Sequence, residues 1–160
     1  MTEAALSGAT HPILENDYAS EWMGIEVLAV SEGHATIRMP LRQEMLNGFG
    51  MAHGGMIFAF ADTAFAMACN PLNPGPGDEG SITVASGVDI NFLKPAYQGQ
   101  VITAVADRRS SAGRSGLYDI QIFAADPGQS GSSSDSPLGA GQPGELIAEF
   151  RGRSRTIPKK

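Results

Sequence analysis

The apolar and polar positions of the chain change period twice. Between Gly24 and Pro40, the runs GIEVLAV and ATIRMPL alternate on either side of Ser31-Glu32-Gly33-His34. Two β-rich runs joined by turn residues predict a hairpin. From about Gly54 to Asn70 the alternation stops. The segment GGMIFAFADTAFAMACN is apolar nearly all round, which predicts a helix buried on most sides rather than an amphipathic one, ended by Asn70-Pro71. From Ser81 the period returns to two. SITVASGVDINFLKP, QVITAVADRRS, SGLYDIQIFAAD and ELIAEFRGRSRTI are four further strands, rich in β-branched residues and separated by turn breaks. Ahead of the hairpin, Ile13 to Trp22 is expected as one short helix with Asp17 and Glu21 on its polar side.

A hairpin, one long apolar helix and four mostly antiparallel strands make an α+β chain. A helix that is apolar on every side needs a curved sheet to wrap it. The organisation expected is an N-terminal tail and short helix over 1–22, a single domain over 23–157 and a C-terminal tail over 158–160. Residues 41–55 are irregular and glycine-rich, and 71–80 form a surface loop. Residues 126–144, DPGQSGSSSDSPLGAGQPG, are low in complexity and read as a flexible hairpin loop rather than a domain boundary. No internal repeat is present.

Composition narrows the class. At 160 residues the chain suits one core. Its formal net charge of −6 argues against a nucleic-acid partner, since phosphate binding wants a basic face. One cysteine, Cys69, excludes an intrachain disulfide and reads as a core thiol. Three scattered histidines, His11, His34 and His53, make no metal-ligand pattern, and nothing in the sequence calls for a cofactor. The first residues lack the charged start and apolar run of a signal peptide. The longest apolar stretch is too short to span a bilayer. A soluble, cytoplasmic protein is the expectation.

Three features carry candidate chemistry. Asp62 lies about eight positions into a helix otherwise made of Met, Ile, Phe and Ala. An ionised carboxylate there is costly unless partnered, and such carboxylates often mark functional sites; a structural hydrogen bond to a neighbour is the other reading. His53-Gly54-Gly55 opens the same helix. Its free N–H groups and positive dipole end would receive an oxyanion, and glycine permits close approach; a tight turn is the alternative. Asn47, six residues before His53, carries an amide able to donate to a carbonyl or hold a water, although Asn47-Gly48 also suits a plain turn. Gly54 and Asp62 are eight residues apart, hence about 12 Å along one helix. One chain is therefore not expected to complete a site. Two antiparallel helices would bring Gly54 of one subunit to Asp62 of another, which predicts at least a dimer with two sites across its interface.

These residues resemble a known family. Asn47-Gly48-x-Gly50-x-x-His53-Gly54-Gly55-x-x-Phe58-Ala59-x-Ala61-Asp62-Thr63-Ala64-Phe65 and Ala68-Cys69-Asn70 are similar to the signature of the PaaI-type hotdog thioesterases of phenylacetate degradation. The likeness continues through Asn91-Phe92-Leu93-Lys94-Pro95 and Glu149-Phe150-Arg151-Gly152-Arg153-Ser154 and covers about residues 20–157. It implies a hotdog fold, a homotetramer built from two dimers, and hydrolysis of aryl-acyl-CoA thioesters. By position it implies Asp62 as general base or nucleophile, Gly54 as backbone donor to the thioester oxygen, Asn47 as a second holder of that carbonyl, and His53 as the histidine beside the donor. It places Ser86 near where some relatives orient water.

Coenzyme A carries phosphates, so cations near the site are expected. Lys94, Arg108, Arg109 and Arg114 lie at strand ends, and Arg151, Arg153 and Arg155 share one face of the last strand; a solvated polar face is the alternative. Gly55, Ser86, Lys94 and Arg114 are the substrate-binding candidates. Gly75 to Gly80 fits a bare GxGxxG but follows a helix and places acids where a pyrophosphate would sit. Gly113-Arg114-Ser115-Gly116 lacks the last glycine of a nucleophile elbow. Two other functions are open on sequence: an enoyl-CoA hydratase, disfavoured because no histidine follows Asp62, and a non-catalytic acyl-CoA-binding domain.

Overall fold

The computed structural model describes residues 11–128 and 143–160. Six strands form one antiparallel sheet in the order β1-β2-β4-β5-β6-β3. They are β1 (Glu26–Ser31), β2 (His34–Pro40), β3 (Ser81–Phe92), β4 (Val101–Ala112), β5 (Ser115–Ala125) and β6 (Glu145–Pro158). Among the described residues two α-helices accompany them, α1 (Tyr18–Met23) and α2 (Gly54–Cys69). α2 packs against every strand, so the sheet wraps one long helix, as the apolar run predicts. The low-complexity segment follows β5. Residues 129–142 of it, like the first ten residues of the chain, lie outside the described part.

Alternation builds the core. Ala35, Ile37 and Met39 of β2, Ile102, Ala104 and Ala106 of β4, and Ile120 and Ile122 of β5 all turn inward and are fully buried. They meet Phe60, Ala61, Ala64, Phe65 and Met67 of α2. Burying each large side chain contributes roughly 1.5–3 kcal/mol. The Phe65 ring lies tilted between Tyr118 and Phe150, with centroids 5.5 and 5.9 Å away. Gly152 makes room for it, because a Cβ there would stand 2.8 Å from the ring carbons.

One element differs from the sequence reading. The stretch from Ile13 to Trp22 is not one helix. A 3-10 turn over Pro12–Leu14 is followed by Asn16 at φ 63, and α1 begins only after Asp17 caps it through Ser20 N–H at 3.1 Å. A left-handed residue cannot continue a helix, and Asp17 starts a new one. α2 is buried on most sides, as expected, but one flank is left open within the chain. Ile57, Phe60, Ala61, Ala64, Phe65, Met67 and Ala68 are buried, whereas Phe58 is exposed and Met56, Ala59, Asp62, Thr63 and Ala66 are partly so. One flank of an apolar helix is left uncovered.

The C-terminal end of α2 is fastened to the sheet. Asn70 donates from Nδ2 to the carbonyls of Ala66 and Thr83, both at 2.9 Å, and its Oδ1 accepts from Thr83 N–H at 3.0 Å. Its own carbonyl accepts from Nε2 of His11 at 3.0 Å, while His11 Nδ1 accepts from Ile13 N–H. Buried His11 is thereby neutral, and burial holds its pKa below the ordinary value. Replacing Asn70 by Ala removes three bonds and leaves the Thr83 peptide groups unpaired, so Asn70→Ala is expected to cost about 2–3 kcal/mol. Urea unfolding of the two proteins measures this, and an unchanged midpoint would show the clamp to be dispensable.

Candidate active site

α2 begins where the irregular segment 41–53 delivers His53. The loop is organised by Asn47, whose Oδ1 accepts from the N–H of Phe49 at 2.9 Å and of Met51 at 3.2 Å. Its Nδ2 has no partner among the described residues. The side-chain oxygen therefore shapes the turn, and the amide hydrogens are left available.

His53 is the N-cap of α2. Its Nδ1 accepts from Gly55 N–H at 2.9 Å, and its carbonyl accepts from Met56 and Ile57 N–H at 2.9 and 3.2 Å. A helix start has orphan N–H groups. Here His53 engages three of the first four, and the one left without a partner among the described residues is Gly54 N–H. Sequence reasoning placed His53 beside Gly54 but missed that it engages the neighbouring N–H groups and leaves that of Gly54 open. Gly55 N–H, a substrate-binding candidate, is consumed by the cap. A Cβ at Gly54 would stand 3.2 Å from the ring of Phe92, so that phenyl covers the helix start closely.

Asp62 is half-buried on the uncovered flank of α2. Neither of its oxygens has a hydrogen-bond or ion-pair partner among the described residues, and neither is sealed from solvent. Burial raises its pKa above the usual carboxylate value, and the negative charge of Asp17 raises it further. Asp17 is held nearby by a polar chain. It accepts from Ser20 Oγ at 2.7 Å, and that hydroxyl lies 3.0 Å from the hydroxyl of Thr63, the residue after Asp62. The structural reading of Asp62, a carboxylate bonded to a neighbour, thus finds no partner in its own chain among the described residues.

The fold and this helix find their match in known proteins. A family model described as the thioesterase superfamily matches residues 49–130, which hold His53, Gly54 and Asp62. The chain belongs to that superfamily. It is 35% identical to the acyl-coenzyme A thioesterase PaaI of Escherichia coli over 92% of this chain and 88% of the relative. Among solved structures, the E. coli PaaI protein from the phenylacetic acid degradation operon superposes with a TM-score of 0.74 at 32% identity, covering 100% of this chain and 99% of the other. The phenylacetic acid degradation protein PaaI of Thermus thermophilus, in a mutant form, matches at 26% identity and a TM-score of 0.68 over 87% and 98% of the two chains. The sheet wrapped on one long helix is the hotdog fold, and the protein is a PaaI-type thioester hydrolase.

The remaining candidates of this thioesterase are scattered. Ser86 sits at the bulge of β3 and donates to the carbonyl of Arg153 at 3.0 Å. Lys94 is ion-paired with Glu145. Arg114 lies in the β4–β5 turn beside Thr156, whereas Phe92, which covers Gly54, pairs with Ala148. Eight residues of β6 separate those two levels, about 26 Å, so Arg114 and Gly54 are at opposite ends of the sheet. Arg109 and Arg151 both clamp Asp119, at 2.8 and 2.7 Å. Cys69 is partly buried, with its thiol pKa pushed up to about 12 by burial, consistent with a core thiol. Among the described residues no group of three or more potential metal ligands occurs, and no helix is long and apolar enough to cross a membrane.

A large cleft in the described residues lies away from the pair Gly54 and Asp62. It measures about 960 Å³ and is lined by residues such as Cys69, Asn70, Ser81 and Tyr118 at the far end of α2, and neither Gly54 nor Asp62 borders it.

The unpaired carboxylate has a consequence for stability. Because the folded chain raises its pKa above that of the unfolded chain, the folded state holds the proton more tightly. The ionised group therefore costs stability as pH rises above 3.8, the ordinary value. Asp62→Asn is expected to melt higher than the native protein at neutral pH, with the gap narrowing as pH falls toward 3.8. Thermal melts across that range check it, and a variant that melts lower at neutral pH would show the charge to be compensated.

Proposed function

We propose that the protein hydrolyses acyl-CoA thioesters, phenylacetyl-CoA or hydroxyphenylacetyl-CoA above all, to the free acid and CoA, at two sites shared between subunits of a homodimer. The observation that carries the reading is a pair on the same helix. One first-turn N–H is left open at Gly54, and one carboxylate is left unpartnered at Asp62 among the described residues. The aryl preference rests on the likeness to PaaI of the phenylacetic acid degradation operon.

The thioester carbonyl oxygen accepts from Gly54 N–H at the positive end of α2. The partner's copy of the Asp62 carboxylate either takes a proton from the attacking water or attacks the carbonyl carbon itself, forming an anhydride that water then opens. Charge builds on the carbonyl oxygen and is held by the amide. The C–S bond then breaks, and the CoA thiolate takes a proton, from the Asp62 carboxyl in the general-base route or from solvent in the covalent one. A carboxylate whose pKa is raised is a stronger base for this step. Asn47 Nδ2 is the second donor to the carbonyl, and His53 keeps Gly54 N–H free by capping its neighbours. Ser86, with its hydroxyl committed to Arg153, and Arg114, at the far end of the sheet, have no part in the reacting centre. Lys94 is the candidate for a CoA phosphate, released from Glu145. The homotetramer expected from the family is a pair of such dimers.

Two variants and their mixture test this. Asp62→Asn should lower kcat by about 10²–10⁴-fold. Gly54→Pro deletes the N–H at the first helical position, where proline is tolerated and the extended His53 (φ −64°, ψ 132°) suits a following proline, with the Phe92 ring 3.2 Å from the new Cβ required to give by a few tenths of an ångström; it should cost about 10²–10³-fold. Coexpression of the two inactive chains should restore about a quarter of native turnover, since about half the dimers are mixed and each keeps one intact site of two. A mixture as inactive as its components would place the whole site within one chain.

A further inference from the structure

The eight-residue interval that separates Gly54 from Asp62 has a midpoint, and the midpoint is Phe58. The three residues stand one above another in a single row, four apart, on the same side of α2. A two-fold axis that brings Gly54 of one subunit to Asp62 of the other also performs the reverse exchange. The residue midway between them is then carried onto its own copy.

Phe58 has the character this position needs. It is the one large side chain of α2 that is exposed, at 38%, on a helix whose other phenylalanines are fully buried. Its ring is backed by Phe150, with centroids 5.5 Å apart and planes tilted by 59°, so it is held rather than free. The flank around it is Met56, Ala59, Asp62, Thr63 and Ala66, all partly exposed. These side chains are small or apolar apart from Asp62 and Thr63, which suits a closely approaching second helix. The sheet adds a second, independent feature. β3 is an edge strand with no neighbour on its outer side among the described residues, and it exposes Ile82 and Val84.

We propose that Phe58 meets its own copy on the two-fold axis and that the paired rings form the wall between the two acyl sites, setting the size of acyl group each accepts. This deepens the proposed reaction and rests on its two-subunit site. Each reacting centre lies about 6 Å from the axis along the helix, half the interval between Gly54 and Asp62. A phenyl ring rooted on the axis therefore reaches the acyl group of either site. Phe58 acts here as a specificity residue, and the chemistry is left to Gly54 and Asp62.

Cross-linking and acyl selectivity test the two halves. Phe58→Cys in the full chain, treated with a short bismaleimide, should give a covalent dimer on denaturing gels. Gln121→Cys, exposed on β5 two strands in from the β3 edge, should stay monomeric under the same treatment. The native chain is the background control, because the pKa of its half-buried Cys69 thiol is pushed up to about 12. Phe58→Ala, and Phe58→Leu as a gentler change, should raise kcat/KM for naphthylacetyl-CoA relative to phenylacetyl-CoA by about tenfold or more, and Phe58→Trp should lower that ratio. Failure of Phe58→Cys to cross-link, or an equal effect of all three variants on both substrates, would overturn the proposal. Native turnover retained by Asp62→Asn would instead overturn the proposed reaction, and a cross-link at position 58 would then still locate the axis.

Discussion

The structure is organised around a carboxylate that its own chain does not compensate. α2 has to be apolar to fill the sheet, yet Asp62 interrupts it, with no cation or donor within reach among the described residues and with Asp17 as the charge that perturbs it. Burial and a like charge both favour the protonated form, so the folded state carries this group at a cost when it is ionised. Cores do not retain such a cost for packing, because an alanine or leucine would fill the same space. A raised pKa on an accessible oxygen is, however, what a base or nucleophile at neutral pH requires.

The two ends of α2 are treated differently. At the C-terminal end the chain is fastened: Asn70 replaces a strand residue by bonding both peptide groups of Thr83, and His11 closes its carbonyl. At the N-terminal end the cap is incomplete by one donor. Had Ser or Asp occupied position 53, the same side-chain bond to the first turn would form. The histidine ring is broader, and it stands against the face of Gly55 with Nδ1 about 3.1 Å from where a Cβ would be, so glycine at 55 is part of the cap. A site held within tenths of an ångström needs rigid elements beneath it, and a helix pinned at its far end meets that need.

Much of this is legible in the sequence, and the particular misses have physical causes. Period two locates the six strands and an unbroken apolar run locates α2, because a half-buried sheet and an apolar helix write different patterns. The Asn47–Asn70 block points to its family, and the match over residues 49–130 agrees. The break at Asn16 is easy to pass over: Asn favours left-handed turns over helix interiors, but one such residue does not by itself end a helical run. The commitments of Lys94 to Glu145, 51 residues away, and of Ser86 to Arg153, 67 away, are long-range pairings that no local window contains. Phe58 is hidden in another way: one phenylalanine among several on an apolar helix carries no mark until the structure shows which flank the sheet leaves bare.

The outer face of the sheet bears on where a second copy can sit. Cross-strand pairs run over it: Arg38 with Glu26, His34 with Asp107, Asp119 between Arg109 and Arg151, and Gln121 with Glu149. Each is exposed or half-exposed, and such pairs add little stability in water, but they would be costly to strip of solvent by burial under another subunit. Apolar surface lies elsewhere, on Phe58 and Trp22 of the helical side and on Ile82 and Val84 at the β3 edge. The face that gains by association is therefore the one carrying Asp62. An argument from desolvation and an argument from the interval of about 12 Å along α2 start from different residues, and both put the second copy of the proposed dimer on the same side of the molecule.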